Sequence, residues 1–276
     1  MQLGDWQLDT VSGGTLRLDG GAMFGVVPKP LWERLQPADE QNRIRASTNC
    51  VLARDGRQTI LIDTGYGGKL TDSQRERFAA EPGEPLLASL ARLGLSPEDI
   101  DTVVLSHLHF DHAGGLLRAD GTRAFPHATI VAQKAEWEIA LDDNPRILAS
   151  YAQPELVLVR DWGAQGWVDG EREILPGVTV VPTGGHSAGH QAVIVRGSGQ
   201  GARTLAFFGD LFMRPWAANP RWVTSFDDFP LDSVARKVEL FAQAADEGWI
   251  IVLSHESRHP VGRLVRDRDR FRYEAG

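Results

Sequence analysis

His107, His109, Asp111 and His112 stand within one six-residue stretch, His107-Leu108-His109-Phe110-Asp111-His112. Imidazole nitrogens and a carboxylate are the donors that Zn²⁺ and comparable borderline metals accept. The stretch follows Thr102-Val103-Val104-Leu105-Ser106, which is short, apolar and β-branched and predicts a buried strand. His107 and His109 are two apart, so in extended backbone they project to the same side. Asp111 and His112 are neighbours, point differently, and can serve a second centre. A single histidine in a polar turn would carry no weight. Three histidines and an aspartate in this window predict a metal site.

Four further polar motifs stand at the ends of predicted strands. Asp63-Thr64-Gly65 follows Ile60-Leu61-Ile62, and Gly185-His186-Ser187-Ala188-Gly189-His190 follows Val178-Thr179-Val180-Val181. Gly209-Asp210 follows Leu205-Ala206-Phe207-Phe208, and Ser254-His255 follows Trp249-Ile250-Ile251-Val252-Leu253. The HxHxDH spacing, with these motifs in this order, resembles the metallo-β-lactamase superfamily. The resemblance spans Asp63 to His255. It implies a mixed α/β (α+β) chain folded as a four-layer αββα sandwich, two facing sheets with helices outside each and metals at one edge. Periodicity alone predicts only mixed α and β.

Carried over residue by residue, the resemblance implies one divalent metal on His107, His109 and His186. A second falls on Asp111, His112 and His255, with Asp210 bridging the two. Zn²⁺ is the first expectation, and Mn²⁺, Fe²⁺ or Co²⁺ suit the same donors. Asp63 is expected to orient a ligating histidine through its other ring nitrogen. His190 is expected behind the ligands or in a structural role, His127 at the surface, and His259 facing either pocket or solvent. Two metals sharing a water lower its pKa towards neutrality, so the expected nucleophile is a bridging hydroxide. With that hydroxide, no Ser, Cys or His nucleophile is needed. Asp210, as bridge, and Asp111, as proton shuttle, are the catalytic candidates. His109 stands where the diiron flavoproteins of this fold carry a carboxylate, which favours hydrolysis over redox chemistry.

The Asp19 to Pro30 loop, the HLHFDHAGG stretch and Asp227-Asp228-Phe229-Pro230-Leu231 resemble one branch of the superfamily. That branch holds the quorum-quenching N-acyl-homoserine-lactone lactonases and, further off, methyl parathion hydrolase. It implies a small lactone or ester substrate with an acyl tail, an apolar pocket, and often a homodimer. Met23, Phe24 and the Trp216 to Trp222 connection are candidate substrate contacts, with ordinary core packing as the alternative. In the lactonases a tyrosine lies three residues beyond the bridging aspartate. Here that substrate-facing position is Met213, which has no proton to give, and of the three tyrosines only Tyr66 falls in a segment expected near the site. A phosphotriesterase or arylesterase would use the same metals. A non-catalytic metal-binding module is the reading from a different class, and a missing ligand would favour it.

Residues 1–18 predict short strands around a Gly13-Gly14 turn, 19–30 a loop that tucks under the domain or lies over a pocket, and 31–45 an irregular polar segment. Two strands over 47–63 join at Asp55-Gly56. Helices are predicted over 72–80 and around Leu86 to Leu93, stopped by Gly94, and Ser96-Pro97-Glu98-Asp99 reads as a capped start. Residues 128–132 predict a strand, 134–142 a helix, and 143–170 a partly irregular stretch. Strands at 178–182, 192–196 and 203–208 precede a long connection over 211–230. Leu231, Val234, Val238, Phe241 and Ala245 then mark an amphipathic helix, and 261–273 an alternating strand pair.

The chain has 276 residues and no linker, low-complexity tract or short repeat, so 1–276 reads as one domain. Its net charge of −8 disfavours nucleic acid as a partner. The arginines from Arg263 to Arg272 are interleaved with Asp267 and Asp269, and Glu274 follows, a solvated pair of strands and no basic patch. The one cysteine, Cys50, lies in an apolar strand, where it forms no internal disulfide and fits a reducing compartment. The start carries no signal-peptide pattern and no run of 18 apolar residues occurs, so the expectation is a cytoplasmic protein without a membrane partner.

Overall fold

The strands of each sheet lie side by side in chain order. In the computed structural model, which describes residues 1–162, 165–268 and 270–276, the first sheet is β1 (Gln2–Leu3), β2 (Trp6–Asp19), β3 (Arg43–Arg54), β4 (Thr59–Ile62), β5 (Thr102–Val104), β6 (Thr129–Gln133) and β7 (Gln165–Val168). The second is β8 (Arg172–Leu175), β9 (Val178–Pro182), β10 (Gln191–Arg196), β11 (Thr204–Phe207), β12 (Ile250–Val252), β13 (Val261–Asp267) and β14 (Arg270–Ala275). Four neighbouring pairs are parallel: β4–β5, β5–β6, β6–β7 and β11–β12. A parallel pair needs a crossover, and helices supply it. α1 (Gly20–Phe24) and α2 (Lys29–Trp32) fill the β2–β3 connection. α3 (Asp72–Phe78) and α4 (Pro85–Arg92) then span β4–β5, and α5 (Phe110–Ala113) spans β5–β6. α6 (Lys134–Ala140), α7 (Pro145–Leu148) and α8 (Gln153–Asp161) span β6–β7, and α9 (Pro230–Asp246) spans β11–β12.

Side chains alternate between the faces of a strand, so the core divides into layers. Leu8, Ile60, Ile62 and Val104 of one sheet meet Val180, Val193, Phe207 and Val252 of the other. On the outer face of the first sheet, Leu61, Val103 and Ile130 pack under Leu90 of α4, Trp137 of α6 and Val159 of α8. On the outer face of the second, Ile194, Ala206 and Ile251 pack under Leu240, Phe241 and Ala244 of α9. The result is the four-layer αββα arrangement. β5 is buried on both faces, which is why its sequence is a continuous apolar run. Cys50 is buried in β3. Among the described residues no helix is long and apolar enough to cross a membrane.

The glycine pair at 13–14 makes no turn. β2 continues through it for 14 residues, with a register shift between Ser12 and Thr15. A Cβ on Gly13 would lie 2.7 Å from the Gly65 Cα, and Gly14 has φ +111. The glycines therefore form a bulge that lets the loop after β4 press against the strand. Two segments expected to be irregular are more ordered. The end of α2 and the start of β3 fall within 31–45. α7, α8 and β7 fall within 143–170, residues 163 and 164 of that stretch lying outside the described residues, as does Asp269 in the terminal strand pair.

The 19–30 segment, where a loop is predicted, is helical over 20–24 and again from 29. Asp19 caps α1, its Oδ1 accepting the Ala22 N–H at 2.8 Å. Phe24 then stacks on Trp32 at 5.0 Å and meets Trp216 at 4.4 Å and Trp222 at 6.0 Å. Phe24→Ala is expected to cost about 3–5 kcal/mol in denaturant unfolding, the range for deleting a buried aromatic ring. A loss under about 1 kcal/mol would mean that the ring is not core.

Candidate metal centre

Parallel pairing decides which motifs meet. β4 and β5 end side by side, so Asp63 lies against the 106–112 segment, its N–H donating to the Val104 carbonyl. β11 and β12 end side by side, so Asp210 lies beside Ser254 and His255, and the Ser254 hydroxyl donates to Asp210 Oδ1 at 3.1 Å. β3 joins the two sheets there, Ser47 and Asn49 donating their N–H groups to the His255 and Ser254 carbonyls. His109 is extended, with ψ 152, whereas Asp111 and His112 sit on the single turn of α5. The backbone change separates the two halves of the HxHxDH motif.

The seven candidate ligands converge. Donor atoms of His107, His109 and His186 lie within 4.8 Å of one another, and so do those of His107, His112 and Asp210 and those of Asp111, His112 and His255. Asp210 Oδ1 is 3.1 Å from His112 Nε2 and 3.0 Å from His255 Nε2, and its Oδ2 is 3.5 Å from His186 Nε2. Asp111 stands further back, 4.0 Å from His112 Nε2 and 3.7 Å from His255 Nε2.

The hydrogen bonds assign the imidazole tautomers. His112 Nδ1 donates to Asp63 at 2.7 Å, His186 Nδ1 to Asp227 at 2.7 Å, and His255 Nδ1 to the Ser47 carbonyl at 2.7 Å. The Ser106 hydroxyl donates to Asp63, leaving its oxygen to accept from His107 Nδ1 at 3.1 Å. With the protons on Nδ1, bare Nε2 lone pairs face the centre. His112 Nε2 then lies 3.3 Å from His255 Nε2, and the buried His107 Nε2 has no hydrogen-bond partner. Lone pairs crowded together in a dry site repel one another unless a cation lies between them. The donor set therefore fits divalent metal ions.

Electrostatics divides the site. Burial, reinforced by neighbouring imidazoles, holds His107 and His109 well below the ordinary histidine value. Burial also opposes charge on His112, but the carboxylates of Asp210, Asp111 and Asp63 outweigh it and hold His112 well above that value. Burial opposes charge on His186 too, but its hydrogen bond to Asp227 and the charge of Asp210 raise it. A cation bound at either imidazole would therefore displace a proton from Nε2. Burial would raise Asp210, yet His255 and His112 keep it well below the usual carboxylate range.

A cavity of about 100 Å³ opens over His109, Asp111, His186 and Asp210, walled by Leu18, Met23, Phe78, Phe110 and Phe226. No lysine or arginine lines it among the described residues. Of the predicted substrate contacts, only Met23 reaches this wall; Phe24, Met213 and the Trp216 to Trp222 connection do not. Phe24 turns into the aromatic stack described above. Met213 is buried in the same cluster and meets the site only through its carbonyl, which accepts the His255 N–H. Tyr66 also stays away, its hydroxyl donating to the Thr15 carbonyl. His190 is buried behind the site, accepting the Asp210 N–H at 3.1 Å, while His127 and His259 are exposed. A larger groove of about 780 Å³, between Leu35, Trp216, Val238 and Arg272, contains none of the candidate ligands.

Three groups behind the candidate ligands have no assigned role in the sequence motifs: Asp227 on His186, the Ser47 carbonyl on His255, and Glu136, which accepts backbone N–H groups on either side. Only Asp227 left a signal, as part of the Asp-Asp-Phe-Pro-Leu segment.

The sequence matches the family described as the Metallo-beta-lactamase superfamily over residues 43–255. It is 31% identical over 157 residues to the N-acyl homoserine lactonase of Bacillus cereus, covering 53% of this chain and 57% of that protein. The chain thus spans a little over half the length of the curated relatives it matches. A "probable metal-dependent hydrolase" from Staphylococcus aureus superposes with a TM-score of 0.90 at 31% identity, over 100% of this chain and 99% of the other. AidC, a dizinc quorum-quenching lactonase solved with a product, superposes with a TM-score of 0.82 at 22% identity, over 100% and 96%, a likeness of fold.

Proposed function

This chain belongs to the metallo-β-lactamase superfamily, and from that membership we propose a dinuclear metal-dependent hydrolase of neutral lactones, N-acyl-homoserine lactones first among them. Residues 1–276 act as one domain in this reading. The observation that carries it is a seven-residue donor set beneath an apolar cavity that no lysine or arginine lines among the described residues. His107, His109 and His186 would hold one ion and Asp111, His112 and His255 a second, with Asp210 placed to serve both. Zn²⁺ is the first candidate. Two such ions supply an acidified water and a Lewis acid for the scissile carbonyl.

The remaining work belongs to the chain. Ser254 fixes the Asp210 carboxylate between His112 and His255. Asp63, Asp227 and the Ser47 carbonyl hold the imidazoles in one tautomer. Asp111 lines the cavity, so its carboxylate oxygens can take a proton from the attacking water and pass it to the leaving oxygen. Met23, Phe110 and Phe226 exclude water and receive an acyl tail. A substrate with its own carboxylate or phosphodiester would find no counter-charge on the wall. The stacked Phe78 and Phe110 rings, 5.1 Å apart, support a second reading in which the same centre cleaves aryl esters or phosphotriesters.

The test is a panel of N-acyl-homoserine lactones, γ-lactones, p-nitrophenyl acetate and paraoxon on metal-analysed protein. We expect two metals per chain, loss of turnover with a chelator, and recovery on adding Zn²⁺, Mn²⁺ or Co²⁺. Active, unchelated protein carrying one metal or none would overturn the dinuclear reading. Metal binding without turnover of any substrate would favour a non-catalytic module.

A further inference from the structure

Behind the centre lies a carboxylate that belongs to neither triad. Glu136, the third residue of α6, is 0% exposed. Its Oε1 accepts the Leu108 N–H at 2.9 Å and the Tyr151 hydroxyl at 3.0 Å. Its Oε2 accepts the Ser187 hydroxyl at 2.5 Å and the Gly189 N–H at 3.1 Å. All four donors are neutral. A buried carboxylate met only by neutral donors is costly to keep, and packing alone does not require one.

Its partners show what it joins. Leu108 stands between His107 and His109, and Ser187 and Gly189 follow His186. One oxygen thus holds each of the two loops that carry the first triad. The approach is close, because a Cβ on Gly189 would lie 2.1 Å from the Glu136 backbone nitrogen. Tyr151 adds a third tie, its ring lying edge-on to His109 with centroids 4.7 Å apart. The other triad is anchored elsewhere, through Asp63 and the Ser47 carbonyl.

We propose that Glu136 is a positioning residue that sets His107 and His109 against His186, and so controls metal affinity at that triad and not at Asp111, His112 and His255. This rests on the metal-site reading above. The reason is one of donors. Hydroxyls can turn to accept, but the Leu108 and Gly189 N–H groups can only donate. Each faces a different oxygen of Glu136. A glutamine in either orientation puts its NH₂ against one of these N–H groups, so the shape survives but one loop is released. Side chains that orient metal ligands are typically worth about 10–100-fold in affinity.

The experiment uses metal-free wild type and Glu136→Gln, titrated with Zn²⁺ against a chelating dye and with Co²⁺ by its visible absorption. In wild type we expect two ions. In Glu136→Gln we expect one dissociation constant to rise about 10–100-fold, the other to move less than about threefold, and the Co²⁺ band of the weakened site alone to change. Ser187→Ala combined with Tyr151→Phe keeps the carboxylate and both N–H ties. It should weaken the same site by a smaller factor, and it serves as the test if Glu136→Gln does not fold. Both constants rising together, or neither moving while the protein melts earlier, would show that Glu136 is only a packing residue. Wild type binding fewer than two ions would instead overturn the dinuclear reading.

Discussion

Asp210→Asn is expected to lower kcat/KM by about 10³-fold, or ~4 kcal/mol, and to reduce bound metal from two ions towards one. Asp210 is the carboxylate that touches both halves of the centre, reaching His112 and His255 through Oδ1 and His186 through Oδ2. Asparagine keeps the shape, but it replaces one acceptor oxygen with a donor nitrogen and removes the charge. Turned one way, its NH₂ faces the crowded Nε2 atoms of His112 and His255; turned the other, it faces His186. The loss should therefore appear in elemental analysis before it appears in any unfolding curve. A variant that retains two metals and more than about a tenth of wild-type turnover would show that Asp210 does not join the sites.

The candidate ligands are legible in the sequence because each motif follows an apolar strand run and the polar residue interrupts it abruptly. Val104 to His107 and Phe208 to Asp210 are such boundaries. Their supports are not legible, because they come from distant parts of the chain. Asp227 lies 41 residues from His186, Glu136 lies 51 from Ser187, and Ser47 lies 208 from His255. In sequence, Glu136 reads as an ordinary acid in the first turn of a helix, where a carboxylate is favoured anyway. Gly13-Gly14 misleads for a related reason. The pair is a strong hairpin signal, and only the Gly65 backbone pressing on it makes it a bulge. Met23 and Phe24 are adjacent, and in a loop reading they share one fate. α1 sets them about 100° apart around its axis, so that one faces the cavity and the other the aromatic stack. That helix is hidden because Gly20 and Gly21 are poor helix formers, and the Asp19 cap is what starts it.

The second large effect concerns the leaving group. All three tyrosine hydroxyl protons are committed away from the cavity: Tyr66 to the Thr15 carbonyl, Tyr151 to Glu136, and Tyr273 to the His259 carbonyl. Met213 offers none. Of the other groups lining the cavity, the Ser150 hydroxyl is too weak an acid to do more than relay a proton, and Asp210 is held between His112 and His255. In the proposed mechanism Asp111 therefore carries a proton to the departing oxygen, and only after taking one from the attacking water. A positioned acid is typically worth about 10²–10⁴-fold in rate. Without a dedicated one, the rate should follow the stability of the leaving oxyanion. We therefore expect esters matched in their acyl part to give a steep negative slope of log kcat/KM against leaving-group pKa, with aryl esters ahead of unactivated alkyl esters by about 10²-fold or more. Tyr66→Phe, Tyr151→Phe and Tyr273→Phe should leave that slope unchanged, although Tyr151→Phe should lower the overall rate through Glu136. Asp111→Asn should steepen it. A flat wild-type slope, with bond cleavage shown to limit the rate, would reveal an acid outside this set. A slope that steepens only in one tyrosine variant would name that residue as the donor and require its hydroxyl to leave the partner it has here.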